Sequence, residues 1–148
     1  MTPPLQLGQH SSRVPASSID YNGYMNDAAY AQVITDANES FLDALGLSAD
    51  YRQATGCSMY TVELTIKFLR EAGLDDLIRA ETQLASHDSK RVRLRTTLLA
   101  EDLSPLATGE SMYVHVDTAT GRVSVLPDNR LLVLEQVQHA HDALLLAR

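Results

Sequence analysis

Residues suited to chemistry are concentrated between Asp20 and Asp27, in the segment Asp-Tyr-Asn-Gly-Tyr-Met-Asn-Asp. An apolar helical pattern starts directly after it, so Asn26 or Asp27 is placed to cap a helix, and Gly23 permits a sharp turn close to a ligand. The first amides of a helix lack partners within it and lie at the positive end of its dipole. Asp20 is thereby a carboxylate beside donors that stabilise developing negative charge, an arrangement that suits acyl transfer.

Two interpretations of this segment are open at this stage. In the catalytic one, Asp20 attacks an acyl carbon or activates a water, while amides near Asn26 and Asp27 polarise the carbonyl oxygen. In the other, the same Asp, Asn and Gly residues only cap the helix and form a turn. The spacing of the residues does not decide between them.

The composition is that of an ordinary globular protein. Of the 148 residues, 45% are hydrophobic and 21% are charged, and the formal net charge is −7. We expect a single domain over residues 1–148 with a packed core. The acidic balance argues against nucleic acid as a partner, because the basic residues of 90–95 alternate along a strand pattern and no larger basic cluster occurs.

The cysteine content, the N-terminal residues and the possible metal ligands indicate the compartment and whether a metal is expected. Cys57 is the single cysteine, which excludes an intramolecular disulfide and fits a reducing compartment. The first residues lack the pattern of a signal peptide, and no apolar run approaches the roughly 20 residues of a membrane span. We therefore expect a cytoplasmic protein with no membrane partner. His115 and Asp117 on one strand are too few to hold a metal, so no metal site is expected.

Periodicity predicts the secondary structure. Apolar residues at three-four spacing after Asn26 predict one long helix of about five turns that ends at Gly46. Twofold alternation predicts strands over much of the remainder. The predicted elements are a strand at 5–14, the long helix, a short helix at 48–54, strands at 59–68, 77–86, 91–99 and 106–116, a turn at 117–122 and a helix at 128–146.

The strand at 59–68 carries a second carboxylate. Its alternation sets Tyr60 and the other apolar residues on one buried face, with Glu63 on the opposite face. Glu63 is therefore a second candidate catalytic residue, facing a subunit interface or a substrate group. The alternative is a solvated strand residue, since glutamate is rarely buried.

The order of elements predicts the fold class. A single long helix with a large apolar face needs a sheet to cover it. We expect an α+β protein in which a curved antiparallel sheet wraps round one long central helix, with an additional C-terminal helix.

A family resemblance supports this architecture. The segment Asp20–Tyr30 resembles the signature Asp-x-Asn-Gly-His-Met-Asn-Asn-x-x-Tyr of hotdog-fold acyl-CoA thioesterases of the 4-hydroxybenzoyl-CoA thioesterase type. Further segments are similar to the branch found beside, or fused to, carnitine dehydrogenases and assigned to betainyl-CoA hydrolysis. These segments are Tyr60–Glu63, Phe68–Glu71, His87–Arg91 and His115–Arg122. The resemblance implies a hotdog fold and hydrolysis of a small acyl-CoA thioester, betainyl-CoA in carnitine breakdown.

The resemblance also assigns roles. Asp20 takes the place of the family's catalytic carboxylate, and the amides of Asn26 and Asp27 take the oxyanion role. Asn22 and Gly23, on the same turn, are expected to contact substrate. Coenzyme A enters only as part of the substrate, so no cofactor is expected. The family forms dimers, or dimers of dimers, with active sites shared between subunits.

Two groups of residues are candidates for substrate binding. A trimethylammonium group offers no hydrogen-bond donor, so the aromatic faces of Tyr24 and Tyr60 suit it, with Tyr21 and Tyr113 as further possibilities. Tyrosines on strands are more often packing residues. A second group is suited to the phosphates of coenzyme A, or forms only a solvated basic face. Its members are Lys90, Arg91 and Arg70.

One departure from the signature limits the mechanism, because Tyr24 stands where relatives carry histidine. A hotdog hydratase, which would pair its aspartate with a nearby histidine, is therefore the less favoured enzyme. An alternative from another class is a non-catalytic hotdog module that binds an acyl-CoA or a quaternary ammonium ligand.

Overall fold

The computed structural model describes residues 2–147, and its largest element is a curved antiparallel sheet. The strands are β1 (Gly8–Arg13), β2 (Cys57–Phe68), β3 (Leu77–His87), β4 (Arg91–Leu99), β5 (Pro105–Asp117) and β6 (Arg122–Val123). Their order is β1-β3-β4-β5-β2, and β6 pairs with β5. The helices are α1 (Asp27–Ala44), α2 (Ala49–Thr55) and α3 (Asp128–Leu146), with a 3₁₀ turn at Ala16–Ser18. Strand β2 is therefore an edge of the sheet.

Helix α1 lies on the inner face of the sheet because its apolar residues recur every three or four positions. Its buried residues are Tyr30, Ile34, Ala37, Asn38, Phe41 and Leu42. A Cβ at Gly109 of β5 would lie 2.8 Å from Cδ1 of Ile34, so glycine is required there for helix and sheet to approach. The chain turns away at Gly46, whose φ of 72° is left-handed.

A buried polar layer separates two apolar clusters under α1. One cluster includes Tyr30, Ile34, Ile78, Leu98 and Leu106, and the other includes Phe41, Leu42, Leu84, Leu94 and Leu134. Between them Asn38 donates to Oγ of Ser111 at 2.9 Å and accepts from Oγ1 of Thr96 at 2.6 Å. Buried polar groups are costly when unpaired, so these bonds favour one position of α1 along the sheet.

Helix α3 packs at the end of the sheet where α1 terminates. His141 of α3 is fully buried, and its Nδ1 accepts the amide hydrogen of Leu84 at 2.9 Å. Its Nε2 lies 3.2 Å from the carbonyl oxygen of Pro4 and 3.0 Å from that of Gln6, so it carries the proton. One imidazole thus joins the N-terminal segment, β3 and α3.

The predicted architecture of a curved sheet round a central helix is confirmed. The first strand is shorter than predicted, at Gly8–Arg13. The predicted turn at 117–122 overlaps a short strand, because Arg122 and Val123 pair with the end of β5. In the described part of the chain, no helix is long and apolar enough to cross a membrane.

The prediction for β2 is wrong in two respects: the apolar face predicted to be buried is exposed at Tyr60, Val62, Leu64 and Phe68, and Glu63 does not lie on the opposite face from Tyr60. Thr61 and Glu63 pair with consecutive residues of β5, so Val62 is an extra residue in a β-bulge. The bulge reverses the alternation, and Glu63 shares the outer face with Tyr60 instead of opposing it. The apolar residues after the bulge face inward, opposite buried residues of β5.

Candidate active site

The segment before α1 folds into a tight loop, residues 20–24, which we call the Asp20 loop. Ile19 and Met25 form an antiparallel bridge at the base of this loop. The amide of Asp20 donates to the carbonyl of Tyr24, and the amide of Gly23 donates to the carbonyl of Asp20, both at 3.0 Å. Gly23 has a φ of 85°, which a residue with a Cβ rarely adopts. The glycine therefore permits the tight turn that joins Asp20 to Tyr24.

The carboxylate of Asp20 is oriented through one oxygen. Its Oδ1 accepts the amide hydrogen of Asn22 at 2.8 Å. Within residues 2–147 its Oδ2 accepts no hydrogen bond. Asp20 is partly buried, whereas Asn22 and Gly23 are exposed. One carboxylate oxygen is thus held in place and the other is available to a substrate or a water.

Asn26 is the N-cap of α1 and is fully used within the protein. Its Oδ1 accepts from the amide of Ala29 at 2.9 Å. Its backbone amide and its Nδ2 both donate to the carbonyl of Ser18 at 2.8 Å. These bonds fix the start of the helix. The Asn26 amide, which was predicted to be free for an oxyanion, therefore already has an acceptor within the protein.

Asp27, the first residue of α1, retains a free amide. Its side-chain Oδ1 accepts from the amide of Ala28 at 2.9 Å. Its own backbone N–H has no acceptor among the described residues. A free amide at the positive end of a helix dipole is well suited to stabilise a developing oxyanion. Of the two amides predicted for that role, only the Asp27 amide is available.

Two tyrosine rings border the same loop. Tyr21 is 98% exposed and Tyr24 is 48% exposed. Large exposed aromatic side chains beside a carboxylate are available to a ligand without any rearrangement of the core. Asn22, Gly23 and Tyr24, all predicted to bind substrate, therefore lie on the loop that carries Asp20.

The other predicted site residues lie elsewhere in the chain. Tyr60 and Glu63 are exposed on the outer face of β2. Lys90 and Arg91 lie at the β3–β4 turn, and Arg91 pairs with Asp88 at 2.9 Å. The Asp20 loop instead lies beside the connection that follows β2, since the Met25 amide donates to Ala72 O. A single chain therefore places Lys90 and Arg91 at the opposite end of the sheet from Asp20.

A buried hydrogen-bonded group near the β3–β4 turn was not found from the sequence. The hydroxyl of Tyr51 lies 2.7 Å from Nε2 of His115. Nδ1 of His115 lies 3.1 Å from the carbonyl oxygen of Ser124, so Nδ1 carries the proton and Tyr51 donates. Burial lowers the pKa of His115 and raises the pKa of Tyr51. The group joins α2 to β5, and only the tertiary pairing of distant residues could have revealed it.

Comparison with known proteins identifies the family. The model of the thioesterase-like superfamily matches residues 14–139. The chain belongs to this superfamily. A Pseudomonas aeruginosa protein named betainyl-CoA thioesterase is 33% identical over 127 residues, which cover 85% of this chain and 80% of that protein.

Other relatives are fusions. An Agrobacterium fabrum protein named L-carnitine dehydrogenase/betainyl-CoA thioesterase is 41% identical over 134 residues, which cover 90% of this chain and 27% of that protein. This chain thus spans about a quarter of the length of the fused relatives that it matches.

Solved structures confirm the hotdog fold. A Staphylococcus aureus protein solved in complex with CoA has a TM-score of 0.87 and 27% identity, and the match covers 95% of this chain and 88% of that one. A DHNA-CoA thioesterase from the same species has a TM-score of 0.84 over 93% of this chain and 94% of that one. At 14% identity, the second match supports the fold alone.

Proposed function

We propose that this chain is an acyl-CoA thioesterase that hydrolyses betainyl-CoA to betaine and free coenzyme A. Two observations carry the proposal: one oxygen of the Asp20 carboxylate is unbonded on the loop that leads into α1, and the amide of Asp27 at the start of that helix is unused among the described residues. The names of the relatives support the thioester class and suggest the acyl group. In the proposed hydrolysis the Asp20 carboxylate is the reacting group, whereas binding alone would not need one there.

Two chemical routes fit this arrangement. In the first, Asp20 attacks the thioester carbonyl carbon, the C–S bond breaks and coenzyme A leaves as a thiolate that takes a proton from solvent. Water then opens the mixed anhydride, which releases the acid and restores the carboxylate. In the second, Asp20 takes a proton from a water that attacks the same carbon, the C–S bond then breaks, and the leaving thiolate takes that proton back, which gives the acid and free coenzyme A and restores the carboxylate. In both routes the Asp27 amide stabilises the negative charge on the carbonyl oxygen.

The proposal includes a homodimer formed through β2, either alone or within a dimer of dimers. This edge strand carries four apolar residues with large exposed fractions: Tyr60 at 44%, Val62 at 59%, Leu64 at 39% and Phe68 at 53%. A long apolar edge is a strong site for strand pairing, and a twofold axis pairs identical strands antiparallel. Such pairing brings the partner's β3–β4 turn toward the Asp20 loop of the first copy, so that the active site is shared.

Substrate recognition follows from the same arrangement. The trimethylammonium group of betainyl-CoA is attracted by the face of Tyr24, with Tyr21 beside it, because a quaternary cation interacts with the negative face of an aromatic ring. Across the dimer, Lys90 and Arg91 bind the phosphates of coenzyme A. Lys90 does so through a flexible ammonium and Arg91 through a planar guanidinium. Tyr60 and Glu63 lie on the pairing strand and contribute to the shared interface.

Release of free thiol from a panel of acyl-CoAs tests this function. The panel contains betainyl-CoA, short aliphatic acyl-CoAs and an aromatic acyl-CoA, with thiol formation followed over time. We expect the highest kcat/KM for betainyl-CoA. Preference for aromatic or long apolar acyl groups would refute the betainyl assignment, and binding of acyl-CoA without thiol release would favour a non-catalytic module.

A further inference from the structure

The connection between β2 and β3 begins with a short segment, residues 69–72, that contacts both parts of the candidate site. We refer to residues 69–72 as the strap. At one end the carbonyl of Ala72 accepts the amide hydrogen of Met25 at 2.8 Å. Met25 stands at the base of the Asp20 loop, bridged to Ile19. The strap thereby holds the loop that carries the carboxylate.

The other contact of the strap is with the first turns of α1. The hydroxyl of Tyr30 donates to the carbonyl of Arg70 at 2.9 Å. Tyr30 is only 4% exposed, and its ring packs edge-to-face on Phe68 at 5.2 Å between centroids. Burial raises the pKa of the Tyr30 hydroxyl, so it stays a neutral donor. The strap is thus also bonded to the helix that carries the Asp27 amide.

The strap is itself anchored to the sheet. The amides of Leu69 and Arg70 both donate to the carbonyl of Leu106, at 2.9 and 3.1 Å. The guanidinium of Arg70 donates to Oγ of Ser104 and lies 3.5 Å from the carboxylate of Asp102 in the β4–β5 turn. These bonds give the strap a fixed position from which it supports the loop and the helix.

We infer that Tyr30 is a positioning residue for the thioesterase site: through its hydrogen bond to the strap it sets the distance between the Asp20 carboxylate and the Asp27 amide. This inference rests on the proposed function. Attack on a carbonyl needs the nucleophile or water and the oxyanion donor at the same carbonyl group, and small misplacement lowers the rate strongly. Tyr30 acts through the strap and does not touch the substrate.

The substitution Tyr30→Phe isolates the hydroxyl, because it keeps the ring that packs on Phe68. We expect kcat for the best substrate of the panel to fall about tenfold, with KM within about twofold, since positioning affects the chemical step more than binding. We also expect faster amide hydrogen exchange over residues 24–29, since the strap no longer restrains the helix start.

Tyr51→Phe is the matched control. It also removes one buried tyrosine hydroxyl with a short hydrogen bond, at 2.7 Å to His115, but at the other end of the sheet. We expect a comparable loss of thermal stability with kcat and exchange at 24–29 unchanged. An unchanged kcat in Tyr30→Phe, or an equal fall in both variants, overturns the inference.

The exchange measurement separates this inference from the proposed function. If the wild-type chain hydrolyses no acyl-CoA, the proposed function fails, and the strap is then judged by exchange alone. Faster exchange at 24–29 in Tyr30→Phe but not in Tyr51→Phe supports the positioning contact. Equal exchange in the wild type and Tyr30→Phe overturns it.

Discussion

At the scale of single residues, Asp20 and Asp27 contribute different groups to the proposed reaction. Asp20 contributes its side-chain carboxylate, whereas Asp27 contributes its backbone amide. Asp27 is the first residue of α1, and its amide has no acceptor within residues 2–147. Asn26 before it has φ −72° and ψ 160°, the extended conformation that a following proline requires. Proline is also favoured at the first helical position. The amide can therefore be deleted without disturbing the helix.

We predict that Asp27→Pro lowers kcat by about 10²- to 10³-fold, the usual cost of losing one oxyanion donor. Asp27→Ala is the control, because it removes the side chain and keeps the amide, and it should retain most activity. Thermal unfolding of both variants checks that the fold is intact. Equal activity of the proline and alanine variants would show that the Asp27 amide takes no part in catalysis.

Tyr24 occupies the position where the thioesterase signature has histidine. The ring of Tyr24 is exposed and available to a ligand. We predict that Tyr24→Ala raises KM for betainyl-CoA about two- to fivefold, the worth of an exposed cation–π contact. Tyr24→Phe keeps the ring and should keep the wild-type KM. The KM for acetyl-CoA, which has no cationic group, should not change in either variant. A parallel rise in KM for both substrates would contradict a cation-specific contact.

At the scale of elements, His115 joins α2 to β5 as a neutral acceptor of the Tyr51 hydroxyl. Its pKa is lowered from 6.5 by burial, so the unfolded chain binds a proton more readily than the folded one. The stabilising contribution is fully present above pH 6.5 and is lost as the pH falls through the lower folded pKa. Acid should therefore weaken the attachment of α2.

We predict that the free energy of unfolding decreases between pH 7 and pH 5, with a slope from this group of at most about 1.4 kcal/mol per pH unit. His115→Gln should be less stable at pH 7 and should show a flatter dependence over this range. His139→Gln, at an exposed position of α3, is the control and should keep the wild-type slope. Denaturant unfolding at several pH values measures both. A wild-type slope in His115→Gln would disprove the assignment.

Some of these elements could be predicted from the sequence and others could not. Long periodic segments such as α1 and β4 were predicted, because burial of one face imposes a regular pattern on them. The β-bulge at Val62 was missed because alternation in sequence continues through it, and only pairing with β5 reveals the extra residue. The Asp20 loop was found from its residue types. The bond of Ala72 to this loop and the bond of Arg70 to Tyr30 of α1 were not, since contacts between distant segments leave no local signal.

At the scale of the whole molecule, the proposed shared site depends on a dimer through β2. Val62 is 59% exposed on this edge, and Leu132, on α3, is 56% exposed. We predict that Val62→Lys converts the dimer to a monomer by light scattering and lowers kcat/KM, because a charge on an apolar edge opposes strand pairing. Leu132→Lys should leave mass and activity unchanged. A monomeric Val62→Lys protein with full activity would show that one chain holds the complete site.

Thiol release by the variant Asp20→Asn tests most directly whether Asp20 performs thioester hydrolysis. Asparagine keeps the shape and the acceptor for the Asn22 amide but is a poor nucleophile and base. We predict that kcat for betainyl-CoA falls about 10²- to 10⁴-fold with an unchanged melting temperature. Asp36→Asn, on the exposed side of α1, should retain wild-type kcat. Near wild-type turnover in Asp20→Asn would contradict the account.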